Sequence, residues 1–227
     1  MRKTRSLVVI MPAYNEEGTI YSVLKRVLRQ RAVRKVVVVD DGSTDETLRQ
    51  ARRAAAGAPD MVSIIACGRN MGKGHAIRTA LSRIDDDDLV IIQDADDEYY
   101  PEDYAVMLKA FDGNPVFGYR KRNRGNQYLL ALFMNILHTW LFNVLYGQSV
   151  KDVNVCYKLF RKSMLKGRRL TQNGFAVEEE IAVLLSKNSY KILNVPIRYK
   201  GRRFGEGKKI GPRAAIGDMV FLLRSRF

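Results

Sequence analysis

The sequence predicts an α/β fold, a mostly parallel sheet with helices on both faces. Three observations carry that reading. Short apolar runs alternate four times with segments of helical spacing, as in successive strand–helix–strand units. One run, residues 36–39, is valine throughout, which suits a strand buried on both faces. Each run ends in a polar, glycine-bearing or acidic loop, and in a parallel sheet these loops gather beyond the carboxyl ends of the strands, where ligands bind.

Residues 7–11 are apolar and stop at Pro12, so they read as the first strand. After the 12–18 loop, residues 19–31 place Ile20, Val23, Leu24, Val27 and Leu28 on one helical face. The valine strand leads into Asp40-Asp41-Gly42-Ser43-Thr44-Asp45, where Ser43 or Thr44 is placed to cap a helix running to residue 56. Residues 61–66 are the third strand. Asn70-Met71-Gly72-Lys73-Gly74 is a glycine-bearing loop, and 75–84 the third helix. The fourth strand, 89–93, ends in Asp94-Ala95-Asp96-Asp97-Glu98. Crowded carboxylates repel one another unless a hard cation sits among them, and oxygen donors suit Mg²⁺ or Mn²⁺. A solvated acidic loop shows the same composition, and residues 85–88 read as one.

The second half is less regular. Pro101 opens a helix to residue 111, and 116–119 form a short strand leading into Arg120-Lys121-Arg122-Asn123-Arg124. Residues 128–146 are strongly apolar, long enough as a helix for about 28 Å. Gln127, Asn135, His138, Thr139 and Asn143 form a polar stripe along it, opposite Leu129, Phe133, Ile136, Leu137, Trp140, Leu141 and Val144. Such a helix lies in a membrane interface or packs on the domain with part of its apolar face exposed; a fully buried core helix is the plainer reading. His138 is read as helix surface or core rather than a base. Residues 155–160 read as a strand, and 177–186 as a helix with Glu178, Glu179 and Glu180 at its start. Residues 190–199 read as an edge strand or bend because of Pro196, 201–211 as a glycine-rich basic loop, and 214–227 as a second amphipathic helix. The division expected is a catalytic domain over 1–210, including an interface helix at about 126–147, and a C-terminal helix over 211–227.

Among 227 residues, 39 Lys and Arg stand against 24 Asp and Glu, a net charge of +15. That balance suits nucleic acid, an anionic membrane surface or phosphorylated small molecules. The two cysteines, Cys67 and Cys156, match no metal spacing and no disulfide framework, which fits a reducing compartment. Residues 1–6 are basic, but the apolar run that follows is too short for a signal peptide.

Several motifs coincide in order: Pro12-Ala13-Tyr14-Asn15-Glu16, Asp40-Asp41-Gly42-Ser43-Thr44-Asp45, Asn70-Met71-Gly72-Lys73-Gly74 and Asp94-Ala95-Asp96. Together they resemble the family-two glycosyltransferases with the A-type nucleotide-sugar fold. Gly118-Tyr119-Arg120, Asp152-Val153-Asn154-Val155-Cys156-Tyr157-Lys158 and Arg202-Arg203-Phe204-Gly205-Glu206-Gly207-Lys208 are similar to the polyprenyl-phosphate sugar transferases within it, the dolichol-phosphate mannose synthase group. The resemblance covers residues 7–209.

It implies that Pro12, Tyr14 and Glu16 hold the nucleoside together with Asp41 and Asp40, that Lys73 approaches a phosphate, and that Asp94 and Asp96, flanking Ala95, bind the nucleotide through Mg²⁺ or Mn²⁺. Glu98 stands where the family often has Gln as a further metal contact. Arg120, Arg202 and Lys208 match positions that contact the acceptor phosphate, and Asp96, Arg120 and Arg202 are the residues expected to carry catalysis. The plainer readings are a capped turn at Asp40-Asp41, an exposed lysine at 73, and solvated basic loops, to which Arg122, Arg124, Arg203 and Lys209 belong. Glu180 matches a family glutamate read as pairing an arginine.

The expected reaction is transfer of a hexose, mannose before glucose, from a GDP- or UDP-sugar to a polyprenyl phosphate by inverting displacement. The expected setting is the cytoplasmic face of a membrane, peripherally bound through anionic lipid. With no spanning segment after the catalytic part, a small membrane-protein partner is left open. A hydroxyl acceptor would need a carboxylate base, for which Glu178, Glu179 and Glu180 are the candidates. RNA binding is the non-enzymatic alternative. It is disfavoured because the basic loops flank nucleotide-sugar motifs rather than interleave with aromatics, so no nucleic-acid partner is expected.

Overall fold

A computed structural model describes residues 7–120, 129–201 and 212–226. Seven strands form one mixed sheet: β1 (Leu7–Ala13), β2 (Val33–Asp40), β3 (Val62–Ala66), β4 (Leu89–Ile92), β5 (Val116–Arg120), β6 (Lys158–Arg161) and β7 (Leu193–Ile197), in the spatial order β3-β2-β1-β4-β6-β5-β7. All pairings are parallel except those of β6 with β4 and β5. The helices are α1 (Ile20–Leu28), α2 (Thr47–Ala55), α3 (Lys73–Leu81), α4 (Tyr104–Ala110), α5 (Leu129–Tyr146), α6 (Val177–Lys187) and α7 (Pro212–Arg224). The mostly parallel, helix-covered sheet follows the sequence reading.

The chain steps outward from β1 to β2 to β3, then α3 carries it back to β4 on the far side of β1. Right-handed crossovers put α1 and α2 on one face and α3 on the other. The order reverses between β1 and β4, so the loops leaving these two strands diverge and open a crevice. Register sharpens it. Ala13 is level with Asp40 and Asp40 with Ala66, but β4 pairs with β1 only as far as Ile10 and Ile92. The acidic loop therefore begins inside the rim set by the other strands.

Pro12 lies within β1, opposite Val39, rather than ending it. It stands beyond the span that pairs with β4, so its missing N–H leaves that side of the ladder intact. The all-valine strand is fully buried, as the pattern requires. Neither Ser43 nor Thr44 caps α2. Asp45 accepts the Thr47 N–H at 2.9 Å, which frees Ser43 to bind the loop after β1. The strand expected over 155–160 begins only at Lys158, and Pro196 sits in β7 at the sheet edge.

The orientation of α5 is decided by its polar residues, and they turn inward. Asn135 donates to Asp152 at 3.1 Å, the Thr139 hydroxyl accepts the Val153 N–H at 3.2 Å, and Asn143 bonds both ways with Val150. His138 is buried with its Nδ1 2.8 Å from Glu179. The opposite apolar face is outermost: Phe133 is 60% exposed, Trp140 59% and Val144 62%. Of the alternatives open from sequence, the helix takes the one in which it packs on the domain and exposes its apolar face. α7 packs against α5 and α6, and leaves Val220 and Leu223 exposed on the outside. Among the described residues, no helix is long and apolar enough to cross a membrane.

Candidate active site

The turn after β1 is built on Asn15, a non-glycine residue at φ +50. Its side-chain oxygen accepts the Thr44 N–H at 2.9 Å and its own N–H donates to Ser43 at 3.0 Å, so the loops after β1 and β2 are held together. Strained backbone of this kind survives where neighbouring contacts fix it, and it concentrates at functional sites. Glu16 follows, nearly buried, with its N–H on the Thr47 hydroxyl at 2.7 Å, and Tyr14 is half-buried beside it. Asp40 accepts a hydrogen bond from Ser43, as a turn-capping residue does. Asp41 accepts the N–H groups of Gly72 at 2.6 Å and Met71 at 3.1 Å, tying the end of β2 to the start of α3. A cleft of about 520 Å³ runs from Asn15 and Glu16 past Asp96 to Lys200 and Gly201.

Lys73 and Gly74 form the first turn of α3 rather than a loop. A Cβ at Gly74 would lie 2.0 Å from the Gln172 carbonyl oxygen, and one at Gly72 would lie 2.4 Å from that of Asn173. These glycines allow close packing of segment 172–174, which in turn fixes Lys73. The Lys73 ammonium lies 2.6 Å from Asp94 and 2.5 Å from Glu178, with only a tenth of its side chain exposed. Burial opposes its charge, but the attraction of Asp94, with Glu178, outweighs it and holds the ammonium well above lysine's ordinary range. Cys156 completes the surroundings: its sulfur and the carboxylates of Asp94 and Glu178 lie within 4.8 Å of one another.

The acids expected to hold a metal have separate neighbours. Asp94 faces Lys73, whereas Asp96 accepts the Glu98 N–H at 3.2 Å. Asp97, at φ +60, turns away to pair with Arg26. Glu98 accepts the Tyr199 hydroxyl at 2.7 Å, and the intervening Ala95 is buried with its carbonyl on Thr19. Asp94 and Asp96 offer the hard oxygen donors that Mg²⁺ or Mn²⁺ requires. The ammonium seated against Asp94 shows that a cation is stabilised there.

Arg120 ends β5 and is held by Asp152 through two bonds of 2.7 and 2.9 Å. Burial opposes both charges. Asp152 outweighs it for the guanidinium, and Arg120 outweighs it for the carboxyl, which stays below the usual carboxylate range. The guanidinium also lies 5.1 Å from the centre of the Tyr199 ring. A chain of contacts thus joins Glu98, Tyr199, Arg120 and Asp152. The expected phosphate contacts Arg202 and Lys208, with Arg122, Arg124, Arg203, Lys209 and Gln127, fall outside the described residues. Gly201, immediately before Arg202, lines the cleft that contains Asp96.

Asp152, Cys156 and the pairing of Glu178 with Lys73 were not assigned from sequence. Asp152 and Cys156 belong to a motif visible there, but only the fold reveals their partners. Among the described residues Glu180 pairs with no arginine. It accepts the Thr171 N–H and hydroxyl and the Gln172 N–H, anchoring the segment that packs on Gly72 and Gly74. A larger groove of about 920 Å³ runs between α3 and residues 162–170, away from the acidic loop, with Met71 and His75 among its walls.

The family model described as glycosyl transferase family 2 matches residues 8–168. Glycosyltransferase AglJ of Haloferax volcanii is 28% identical over 96% of this chain and 70% of its own length. An undecaprenyl-phosphate 4-deoxy-4-formamido-L-arabinose transferase of Edwardsiella ictaluri is 26% identical over 88% of this chain, which spans 62% of that relative. A solved structure of glucosyl-3-phosphoglycerate synthase from Mycobacterium tuberculosis, with Mn²⁺, UDP-glucose and phosphoglyceric acid, superimposes with a TM-score of 0.70. It is 21% identical, over 98% of this chain and 79% of that one, and has the same A-type nucleotide-sugar fold.

Proposed function

The chain belongs to glycosyl transferase family 2 and is a glycosyltransferase, and on that footing we propose that it transfers a hexose from a nucleotide sugar to a polyprenyl phosphate. The carrying observation is Lys73 anchored on Asp94 where β4 ends beside the sheet's switch point, with a chain of contacts running from Glu98 of the same acidic loop through Tyr199 to a second anchored cation, Arg120. That arrangement suits two anionic substrates brought together. Polyprenyl-phosphate transfer is the activity named for the Edwardsiella relative, and UDP-glucose with Mn²⁺ is bound by the mycobacterial neighbour.

In this reading Pro12, Tyr14, Glu16, Asp40 and Asp41 form the nucleoside site where β1 and β2 end. Asp94 and Asp96 hold Mg²⁺ or Mn²⁺, with Glu98 as a further contact; the ion supplies charge neutralisation for the departing nucleoside diphosphate. Lys73 balances Asp94 and Glu178 beside it. Arg120, fixed by Asp152, meets the acceptor phosphate with Arg202 and Lys208, because a planar guanidinium matches phosphate oxygens. A phosphate is already anionic and attacks the anomeric carbon in line without a general base. The state of the three glutamates on α6 supports this over a hydroxyl acceptor. Glu178 is paired with Lys73, Glu179 lies against His138, and Glu180 is committed to backbone. The exposed apolar faces of α5 and α7 support peripheral binding to a membrane, and the cytoplasmic face is part of the same proposal.

The test is incubation of the purified chain with a polyprenyl phosphate, Mg²⁺ or Mn²⁺, and labelled GDP-mannose, UDP-glucose or other donors in turn. Label in the organic phase, abolished by chelation, is the expected result, with mannose the first sugar to try. Donor consumption without lipid label, under every donor, would remove the acceptor assignment and leave the family intact.

A further inference from the structure

We propose that Asp41, Cys67 and His75 form a second metal site, selective for zinc over magnesium and manganese, whose occupation excludes the donor nucleoside. The three residues come from the end of β2, the turn after β3 and the first turn of α3. Their ligand atoms lie within 4.8 Å of one another. The frame around them is fixed. The Cys67 N–H donates to the Asp40 carbonyl at 2.8 Å, and Gly72 and Met71 donate to the Asp41 carboxylate.

Two details point to a ligand rather than a hydrogen-bonded cluster. His75 Nδ1 is buried and makes no hydrogen bond among the described residues. Its separation from Asp41 Oδ1 is 3.5 Å, too long for a good hydrogen bond. Zinc–ligand lengths of about 2.0–2.3 Å in a tetrahedron put neighbouring donors roughly 3.5 Å apart, which matches. Gly72 binds Oδ2 at 2.6 Å, while among the described residues Oδ1 receives the longer 3.2 Å contact from Met71 and faces the imidazole. A second group that orients one oxygen and leaves the other to the metal is the usual support of a carboxylate ligand.

The donor set decides the cation. Thiolate, imidazole and carboxylate together suit zinc, whereas Mg²⁺ and Mn²⁺ favour oxygen ligands such as Asp94 and Asp96. Three protein ligands leave a fourth position for water. The neighbouring groove that includes Met71 and His75 gives solvent a path to it. The exclusion of nucleoside rests on the role proposed above for Asp41, whereas binding of the metal does not.

The test uses the full chain and its variants Cys67→Ser, His75→Gln and Cys156→Ser. Titration with Co²⁺ is followed through the near-ultraviolet thiolate charge-transfer band, and Zn²⁺ is then added in competition. The expected result is one thiolate-bound Co²⁺ per chain, a band retained in Cys156→Ser and lost in Cys67→Ser, and Zn²⁺ binding at least about tenfold weaker in His75→Gln. No thiolate band, a band lost in Cys156→Ser instead, or equal zinc affinity in Cys67→Ser would overturn the site. Calorimetric titration with UDP and GDP, with and without saturating Zn²⁺, tests the consequence. Weaker nucleotide binding with zinc in the parent chain but not in Cys67→Ser is expected. Unchanged nucleotide affinity on a zinc-loaded chain would overturn the exclusion and leave the metal site standing.

Discussion

Lys73, held between Asp94 and Glu178, makes the active site sensitive to single charges. Replacing it with Met would leave two largely buried carboxylates facing each other. Breaking such a pair costs about 3–5 kcal/mol, so denaturant unfolding of Lys73→Met should show a loss on that order. Added Mn²⁺ should restore more stability to the variant than it adds to the parent, because the ion would replace the missing charge; equal effects of Mn²⁺ would argue against Asp94 as a ligand. Asp96→Ala should lower sugar transfer by at least about a hundredfold while the unfolding midpoint stays put, since Asp96 is assigned to the donor rather than to the core. Near-parental turnover would remove it from the metal site. Asp152 offers a pH test. Burial raises its carboxyl but Arg120 outweighs that, so the folded value lies below the ordinary 3.8. A depressed carboxyl contributes stability that is fully present above the unfolded value and lost as pH falls through the folded one. Asp152→Asn should therefore cost stability near neutrality, and the gap from the parent should close below about pH 4, read as unfolding midpoints across pH 3–7.

At the scale of elements, α3 depends on segment 172–174 and, through it, on Glu180. Gly74→Ala puts a methyl group 2.0 Å from a carbonyl oxygen. Backbone cannot yield as a flexible side chain does, so the 172–174 segment must move and Lys73 with it. A loss of roughly 1–3 kcal/mol, the usual cost of overpacking, should accompany a fall in transfer rate, both measured on the same preparation. Parental activity and stability together would mean that this contact is softer than its geometry. The orientation of α5 is also an effect at this scale. Periodicity identified the polar stripe, but Asp152, Val150, Val153 and Glu179 are the groups that satisfy it, and they come from later in the chain. Burying the apolar stripe instead would have left those polar partners without hydrogen bonds, which is the costlier choice.

Over the whole molecule, a net charge of +15 and an outward apolar stripe act together. Binding to vesicles containing anionic lipid should weaken steeply as salt rises, because screening at 0.15 M already limits exposed charges to about 8 Å. Replacing Phe133, Trp140 and Val144 with Ser should reduce binding further at any salt, with stability changed by no more than about 0.5 kcal/mol per exposed site. Sedimentation with phosphatidylserine vesicles measures both. Salt-independent binding, or binding unchanged in the triple variant, would remove the membrane role of this face.

The amino-acid order alone determined the alternation of strands and helices, the buried valine strand, the family, and the loops that would carry the site. These are local or nearly local signals: a period, a proline, a run of acids at a strand end. The tertiary structure decided which way α5 faces, that Lys73 lies between Asp94 and Glu178, that Asp152 grips Arg120, and that Cys67 comes to rest beside Asp41 and His75. Each of these is a pairing between residues far apart in the chain. Whether a polar group is costly or useful depends on the partner it meets when water is excluded, and only the folded chain supplies that partner.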